Sequence, residues 1–181
     1  MSAPKVFDVM LQANKSFTEN MVERRLDLAN NGQSPKVTVL TCADSRVPPE
    51  LIFGQGLGDL FVIRIAGNVA TNEAIASIEY AVAALKTEVV VVLGHSKCGA
   101  VGGAVECSGE SGPSCLDKLL HAISDDLGGE SDVEKAILKN VQKNVARLHE
   151  NSSIIKDAAS QGNLTVMGAI YDLETGVVAP V

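Results

Sequence analysis

The sequence predicts an α/β fold, with a mainly parallel central sheet flanked by helices, in a single domain of 181 residues. Three observations lead there. Short β-branched runs alternate with amphipathic helical patterns along the chain. The run Glu88-Val-Val-Val-Val-Leu93 is continuously apolar, as expected of a strand covered on both faces. Hydrophobic residues make up 46% of the chain and charged residues 20%, which excludes disorder as the main state and suits one core at this length.

The elements follow in chain order. Residues 1–31 read as an N-terminal helical arm, because the stretch from Val6 to Ala29 carries Phe17, Met21 and Leu26 on one side. Residues 36–181 read as the α/β core, which opens on the β-branched strand Lys36–Thr41. The glycines of Gly54-Gln-Gly-Leu-Gly58 make a turn before the strand Leu60–Arg64; they follow no strand and so are not a dinucleotide fingerprint. Ile75, Ile78, Val82 and Leu85 fall at helical spacing behind a cap at Thr71 or Asn72. The strand Glu88–Leu93 comes next. Residues 108–114 and Gly128-Gly129 are loops by composition. Ser131-Asp-Val-Glu134 has capping-box form and opens a stripe of Val133, Ile137, Val141, Val145 and Leu148. The last strand, Leu164–Tyr171, meets a turn at Glu174-Thr-Gly176.

Charge and composition remove several functions. Lys and Arg total 15 against 22 Asp and Glu, a net charge of −7, which leaves no electrostatic footprint for nucleic acid or an anionic membrane. The apolar runs are far shorter than the roughly 20 residues of a membrane span. The opening residues, MSAPKVFDVM, form neither a secretory signal nor an Arg-rich transit peptide, so a cytoplasmic location is expected. Four cysteines are too few for a disulfide scaffold, and reduced thiols direct attention to metal or thiol chemistry.

Two strands end in unusual chemistry. The first runs into Thr41-Cys-Ala-Asp-Ser-Arg46, the third into Gly94-His-Ser-Lys-Cys-Gly99. Ligands of open α/β sheets bind outside the carboxyl ends of the strands, so Cys42, Asp44, His95 and Cys98 would share one rim. Thiolates, an imidazole and a carboxylate make a tetrahedral zinc set. Taken singly, each has a plainer reading: a buried Cys packs as a small hydrophobe, and Asp44 with Arg46 makes an ion pair in a turn. With zinc present two arrangements remain. Asp44 as the fourth ligand closes the site and makes it structural. Arg46 holding Asp44 in a bidentate pair opens it for catalysis.

Cys42-Ala-Asp-Ser-Arg46 and Gly94-His-Ser-Lys-Cys-Gly99 resemble the two signature segments of the β-class carbonic anhydrases. The lead-in Gln33-Ser-Pro-Lys36 and the ending Gly168-Ala-Ile-Tyr-Asp172 resemble that family too. The resemblance implies one zinc ion per subunit on Cys42, His95 and Cys98, with Asp44 and Arg46 as a dyad gating the fourth position. It implies reversible hydration of CO2 to bicarbonate and a proton by zinc-bound hydroxide. It further implies one antiparallel edge strand, a homodimer or homotetramer, and N-terminal helices packing on a partner subunit. Gln33, Phe61, Tyr80 and Gly99 would contact substrate, Phe61 and Tyr80 by lining an apolar cavity at the dimer interface. Plain core packing is the other reading of Phe61 and Tyr80.

One departure stands out. Some family members carry an inhibitory bicarbonate pocket built from Trp, Arg and Tyr; Arg64 and Tyr171 are kept here, but Val39 holds the Trp position. The expectation is an impaired pocket and a site that rests open at neutral pH. Rival functions are hydrolysis of a CO2 analogue such as carbonyl sulfide and a non-catalytic zinc module. Cys107, Cys115, His121 and His149 read as side chains without a role in the site.

Overall fold

The computed structural model describes residues 3–107 and 112–181. Positions 108–111 of the expected loop at 108–114 therefore lie outside the described residues. The chain divides into two compact units, Met1–Gln33 and Ser34–Val181.

The N-terminal unit is two helices where the sequence pattern suggested one stretch. α1 spans Ala3–Asn20 and α2 spans Val22–Asn31, separated at Met21 (φ −120°, ψ 28°). The break is bridged by main-chain bonds from Met21 N–H to Phe17 O and from Arg25 N–H to Met21 O. Val6, Phe7, Val9, Met10, Leu11 and Phe17 are all exposed apolar residues of α1.

The second unit is built on a five-stranded sheet in the order β2-β1-β3-β4-β5. β1 (Val37–Thr41), β2 (Leu60–Arg64), β3 (Val89–His95) and β4 (Thr165–Tyr171) are parallel, and β5 (Val178–Pro180) pairs antiparallel with β4. The sequence placed the first four. β5, three residues long, is too short for a periodic signal. The helices of this unit are α3 (Pro49–Ile52), α4 (Asn72–Ala83), α5 (Gly99–Val105), α6 (Cys115–Leu127), α7 (Val133–Asn151) and α8 (Ser153–Ser160).

Side chains alternate along the strands, so the sheet feeds two separate cores. Leu40, Val90 and Val92 pack against Ile75 and Ile78 of α4, Val141 and Leu148 of α7, and Ile155 of α8. Val39, Leu93 and Ala169 face the other way, onto Val47, Ile52 and Phe53. A third cluster sits around the two cysteines that follow the strands. Cys42 and Cys98 pack with Val69, Val101, Ala104, Ile123, Leu127 and Ile137.

α4 is capped as the sequence indicated, with the Thr71 side chain accepting from Ala74 N–H. α7 is not capped by Ser131. Asp132 is its N-cap, and one carboxylate oxygen accepts from both Glu134 N–H and Lys135 N–H. An ionised carboxylate is the stronger acceptor at the positive end of a helix. α7 also approaches the sheet closely. A Cβ on Gly94 would lie 2.5 Å from Val141 Cγ2, and one on Gly168 would lie 2.7 Å from Val141 Cγ1. These two glycines form the slot into which Val141 fits.

Candidate metal centre

Strand order positions the site. From β1 the chain moves to β2 on one side, then returns to place β3 on the other, so the carboxyl ends of β1 and β3 flank a topological switch point. Thr41 is in register with Leu93, and the Thr41 hydroxyl donates to Leu93 O at 2.9 Å. Cys42 follows β1 directly, His95 ends β3, and Cys98 immediately precedes α5. All three are buried, and their ligand atoms lie within 4.8 Å of one another. Among the described residues this is the group of His, Cys, Asp and Glu side chains arranged to hold a metal ion.

The donors are pre-oriented. Cys42 Sγ accepts from Gly67 N–H at 3.3 Å and Asp44 N–H at 3.4 Å. His95 Nδ1 is 2.9 Å from Ser96 O, so Nδ1 carries the proton and Nε2 keeps its lone pair. That Nε2 is buried and has no hydrogen-bond partner. A buried acceptor left bare is costly, and a cation between it and the two sulfurs satisfies it. The donor set suits zinc: two soft sulfurs and one borderline nitrogen.

The two sulfurs shift each other in opposite directions. A hydrogen bond from Cys98 pushes the Cys42 thiol down to about 4, against the opposing effect of burial. The same hydrogen bond, together with burial, pushes Cys98 up. Burial alone would lower His95, but Cys42 and the Ser96 carbonyl outweigh it and raise it.

Asp44 is held by Arg46. The guanidinium donates from Nε to Oδ1 at 2.9 Å and from an Nη to Oδ2 at 2.7 Å, and Arg46 N–H adds a bond to Oδ1 at 2.9 Å. These bonds hold the Asp44 carboxyl well below the usual carboxylate range. Asp44 Oδ2 is nevertheless only 3.9 Å from His95 Nε2, so the pair borders the three donors. Arg64 braces the same loop, donating to Cys42 O at 3.1 Å and Asp44 O at 2.5 Å. Val39, at the position considered for a Trp, is fully buried among Val47, Leu93 and Ala169.

The other expected residues are more dispersed. Phe61 is half-buried on β2, and its ring centroid lies 6.2 Å from that of Tyr80 on α4. Tyr80 is 53% exposed, which corrects the core-packing reading for that residue. Gly99 opens α5, and a Cβ there would meet nothing within 4 Å, so the space beside it is open. Gln33 is the last residue of the N-terminal unit and is exposed. His121 lies on α6, 3.9 Å from Asp125, and His149 lies in the last turn of α7.

Sequence reasoning missed three contributors. Ser96 fixes the second loop, its N–H donating to Tyr171 O and its hydroxyl accepting from Leu173 N–H. Lys97 pairs with Glu174 across the same junction. Gly67, with φ +70°, presents its N–H to Cys42, and a Cβ there would sit 2.7 Å from Ile123 Cδ1. Its signal was the Gly in Ile65-Ala-Gly-Asn68 directly after a strand.

The chain is similar to known proteins over most of its length. The family model described as carbonic anhydrase matches residues 37–178. Carbonic anhydrase 2 of Mycobacterium tuberculosis is 39% identical over 162 residues, covering 86% of this chain and 78% of that protein. The carbonic anhydrase of Mycolicibacterium smegmatis is 37% identical over 164 residues, covering 87% and 79%. Among solved structures, a tetrameric β-carbonic anhydrase of Sordaria macrospora superposes with a TM-score of 0.82 at 28% identity, covering 98% of this chain and 97% of that one. The Coccomyxa β-carbonic anhydrase in complex with acetazolamide gives 0.80 at 27% identity, covering 95% and 84%.

Proposed function

The chain belongs to the carbonic anhydrase family, in its β class, and from that premise we propose that it hydrates CO2 reversibly to bicarbonate and a proton at one zinc ion per subunit. Cys42, His95 and Cys98 hold the ion. The carrying observation is their convergence within 4.8 Å around a buried His95 Nε2 that has no other partner. Zinc held there would supply the Lewis acidity that makes water a nucleophile.

The chain's own residues do the rest. Arg46 keeps Asp44 in a bidentate pair, so the fourth position stays free for the reaction; this Asp44–Arg46 dyad is the gate. Val39 in place of Trp and an Arg64 committed to the Cys42–Asp44 backbone support a site that rests open at neutral pH. The open space beside Gly99 lets a small substrate approach the main chain. Phe61 and the exposed ring of Tyr80 form one wall of an apolar cavity completed by a partner subunit, and Gln33 donates a hydrogen bond to substrate oxygen. A small apolar substrate suits such a wall.

The protein acts as a homodimer or homotetramer, and the exposed apolar residues of α1 are the part of the N-terminal arm that a partner subunit covers. No described helix is long and apolar enough to cross a membrane. We place the protein in the cytoplasm, where its thiols stay reduced.

Stopped-flow CO2 hydration, measured before and after chelation and after zinc is restored, tests the reading. The expected result is about one zinc per chain and activity that disappears and returns with it. Full activity in metal-free protein overturns it.

A further inference from the structure

Two fully buried asparagines on α7, Asn140 and Asn144, lie in a hydrogen-bonded relay that ends at a metal-binding sulfur. Asn140 Nδ2 donates to Gly67 O at 2.8 Å, and Gly67 N–H donates to Cys42 Sγ at 3.3 Å. Asn144 Nδ2 donates to Asn140 O at 2.8 Å and to Asn140 Oδ1 at 3.0 Å. Asn144 Oδ1 accepts from Ala70 N–H at 2.7 Å and from Arg147 at 3.4 Å, and Arg147 is in turn held by Asp126 at 2.7 Å. The main-chain partners fix both amides. Ala70 N–H can only donate, so Asn144 presents its oxygen there; Gly67 O can only accept, so Asn140 presents its nitrogen there.

We infer that Asn140 is a positioning residue for the metal centre, pinning Gly67 by its carbonyl so that the Gly67 N–H stays aimed at the Cys42 sulfur. The inference rests on the metal reading above. A donor on a thiolate withdraws charge from it and fixes its direction, so this bond sets how strongly Cys42 donates to a bound cation. The small 66–68 turn carries no side-chain cap of its own, and the Asn140 amide is the side chain that holds the Gly67 carbonyl. Asn144 directs its donors within its own helix, to Asn140. Asn140 instead sends its donor to a loop 73 residues away in sequence.

The test loads Asn140→Ser with cobalt(II) and reads the thiolate-to-cobalt absorption, then measures zinc transfer to a competing chelator. The band is expected to move to longer wavelength, because a sulfur that has lost a donor gives up charge more readily. Zinc transfer is expected to quicken about tenfold or more. Ile155→Val, a buried change on α8 outside the relay, keeps both readouts at their original values. Should Asn140→Ser not fold, Asn144→Ser, one step back in the relay, shows the same shifts at smaller size. A folded Asn140→Ser with an unmoved band and unchanged transfer overturns the assignment. Equal shifts in Ile155→Val also overturn it, since general loosening then accounts for them. A wild-type protein without any thiolate-to-cobalt band overturns the metal reading, and this inference with it.

Discussion

Gly94 stands one residue before His95, and its missing side chain is what lets α7 lie against β3. In Gly94→Ala the new methyl would lie 2.5 Å from Val141 Cγ2, while its next neighbours, Asn68 Oδ1 and Ile137 Cγ2, are at 3.7 and 3.8 Å. Ordinary carbon contacts lie at about 3.5–4.0 Å, so the overlap is roughly 1 Å and falls on Val141 alone. Overpacking of this kind costs about 1–3 kcal/mol, and the stiffer unfolded chain returns about 0.4–1. The expected net loss is about 1–2 kcal/mol. Val141→Ala on its own removes a fully buried side chain and costs about 2 kcal/mol. In the double variant the Gly94 methyl enters the space Val141 vacates. Its loss should fall short of the sum of the two single losses by at least about 1 kcal/mol. Urea unfolding of the zinc-saturated protein at one protein concentration measures all four corners, and zinc content reports whether His95 keeps its place. Additivity within about 0.5 kcal/mol, or a Gly94→Ala protein as stable as the original, would refute the reasoning.

Three further outcomes are expected. Arg46→Ala frees Asp44 to compete for the fourth position, so CO2 hydration falls about tenfold or more at pH 7 and recovers partly at pH 9, where hydroxide competes better; an equal loss at both values would count against gating. The Asp44 carboxyl is depressed by Arg46, so the stability it contributes is present above the ordinary carboxylate pKa of about 3.9 and is lost as pH falls through the folded-state value. The unfolding midpoint of Asp44→Asn should therefore lie below that of the original protein by a constant margin from pH 8 to 5, with the margin closing only in strong acid; a margin that grows on acidification contradicts the pairing. Phe7→Glu combined with Met10→Glu places charge on the exposed apolar residues of α1, and sedimentation should show a smaller assembly with unchanged zinc per chain; an unaltered assembly removes α1 from the interface.

The sequence disclosed most clearly what is periodic or local. β1 to β4 stood out because each is a short run rich in apolar and β-branched residues, β3 continuously so, and the two cysteine-bearing motifs adjoin the strands that carry them. A helix was expected around His121, but the start of α6 was not placed although its signals were present: Ser114 and Asp117 form a capping box, and Leu119, Ile123 and Leu127 follow at helical spacing. The Gly/Ser-rich segment before it masked the start. Asn140 and Asn144 sat within the apolar stripe of α7, polar residues at positions that periodicity assigns to the core. Their role depends on Gly67 and Ala70, some 73 and 74 residues away, and no spacing rule carries that distance. Only the family resemblance grouped Tyr80 with Phe61, because helical spacing cannot tell a side chain that fills a core from one left exposed against a neighbouring ring.

On the proposed metal reading, charge favours an open fourth position. The ligands sit in an apolar cluster with Val69, Val101, Ile123 and Ile137, where net charge is expensive. A divalent cation held by Cys42, His95 and Cys98 would be balanced by two thiolates, leaving the centre neutral. A fourth ligand bearing one negative charge, whether Asp44 or hydroxide, brings it to −1 at similar electrostatic cost. The difference lies in what each must give up. Asp44 would forfeit two guanidinium bonds and one main-chain bond from Arg46, whereas hydroxide forfeits none of these. On that reading the Asp44–Arg46 pair would tip an otherwise even competition toward solvent, from a loop that Arg64 braces on its other side.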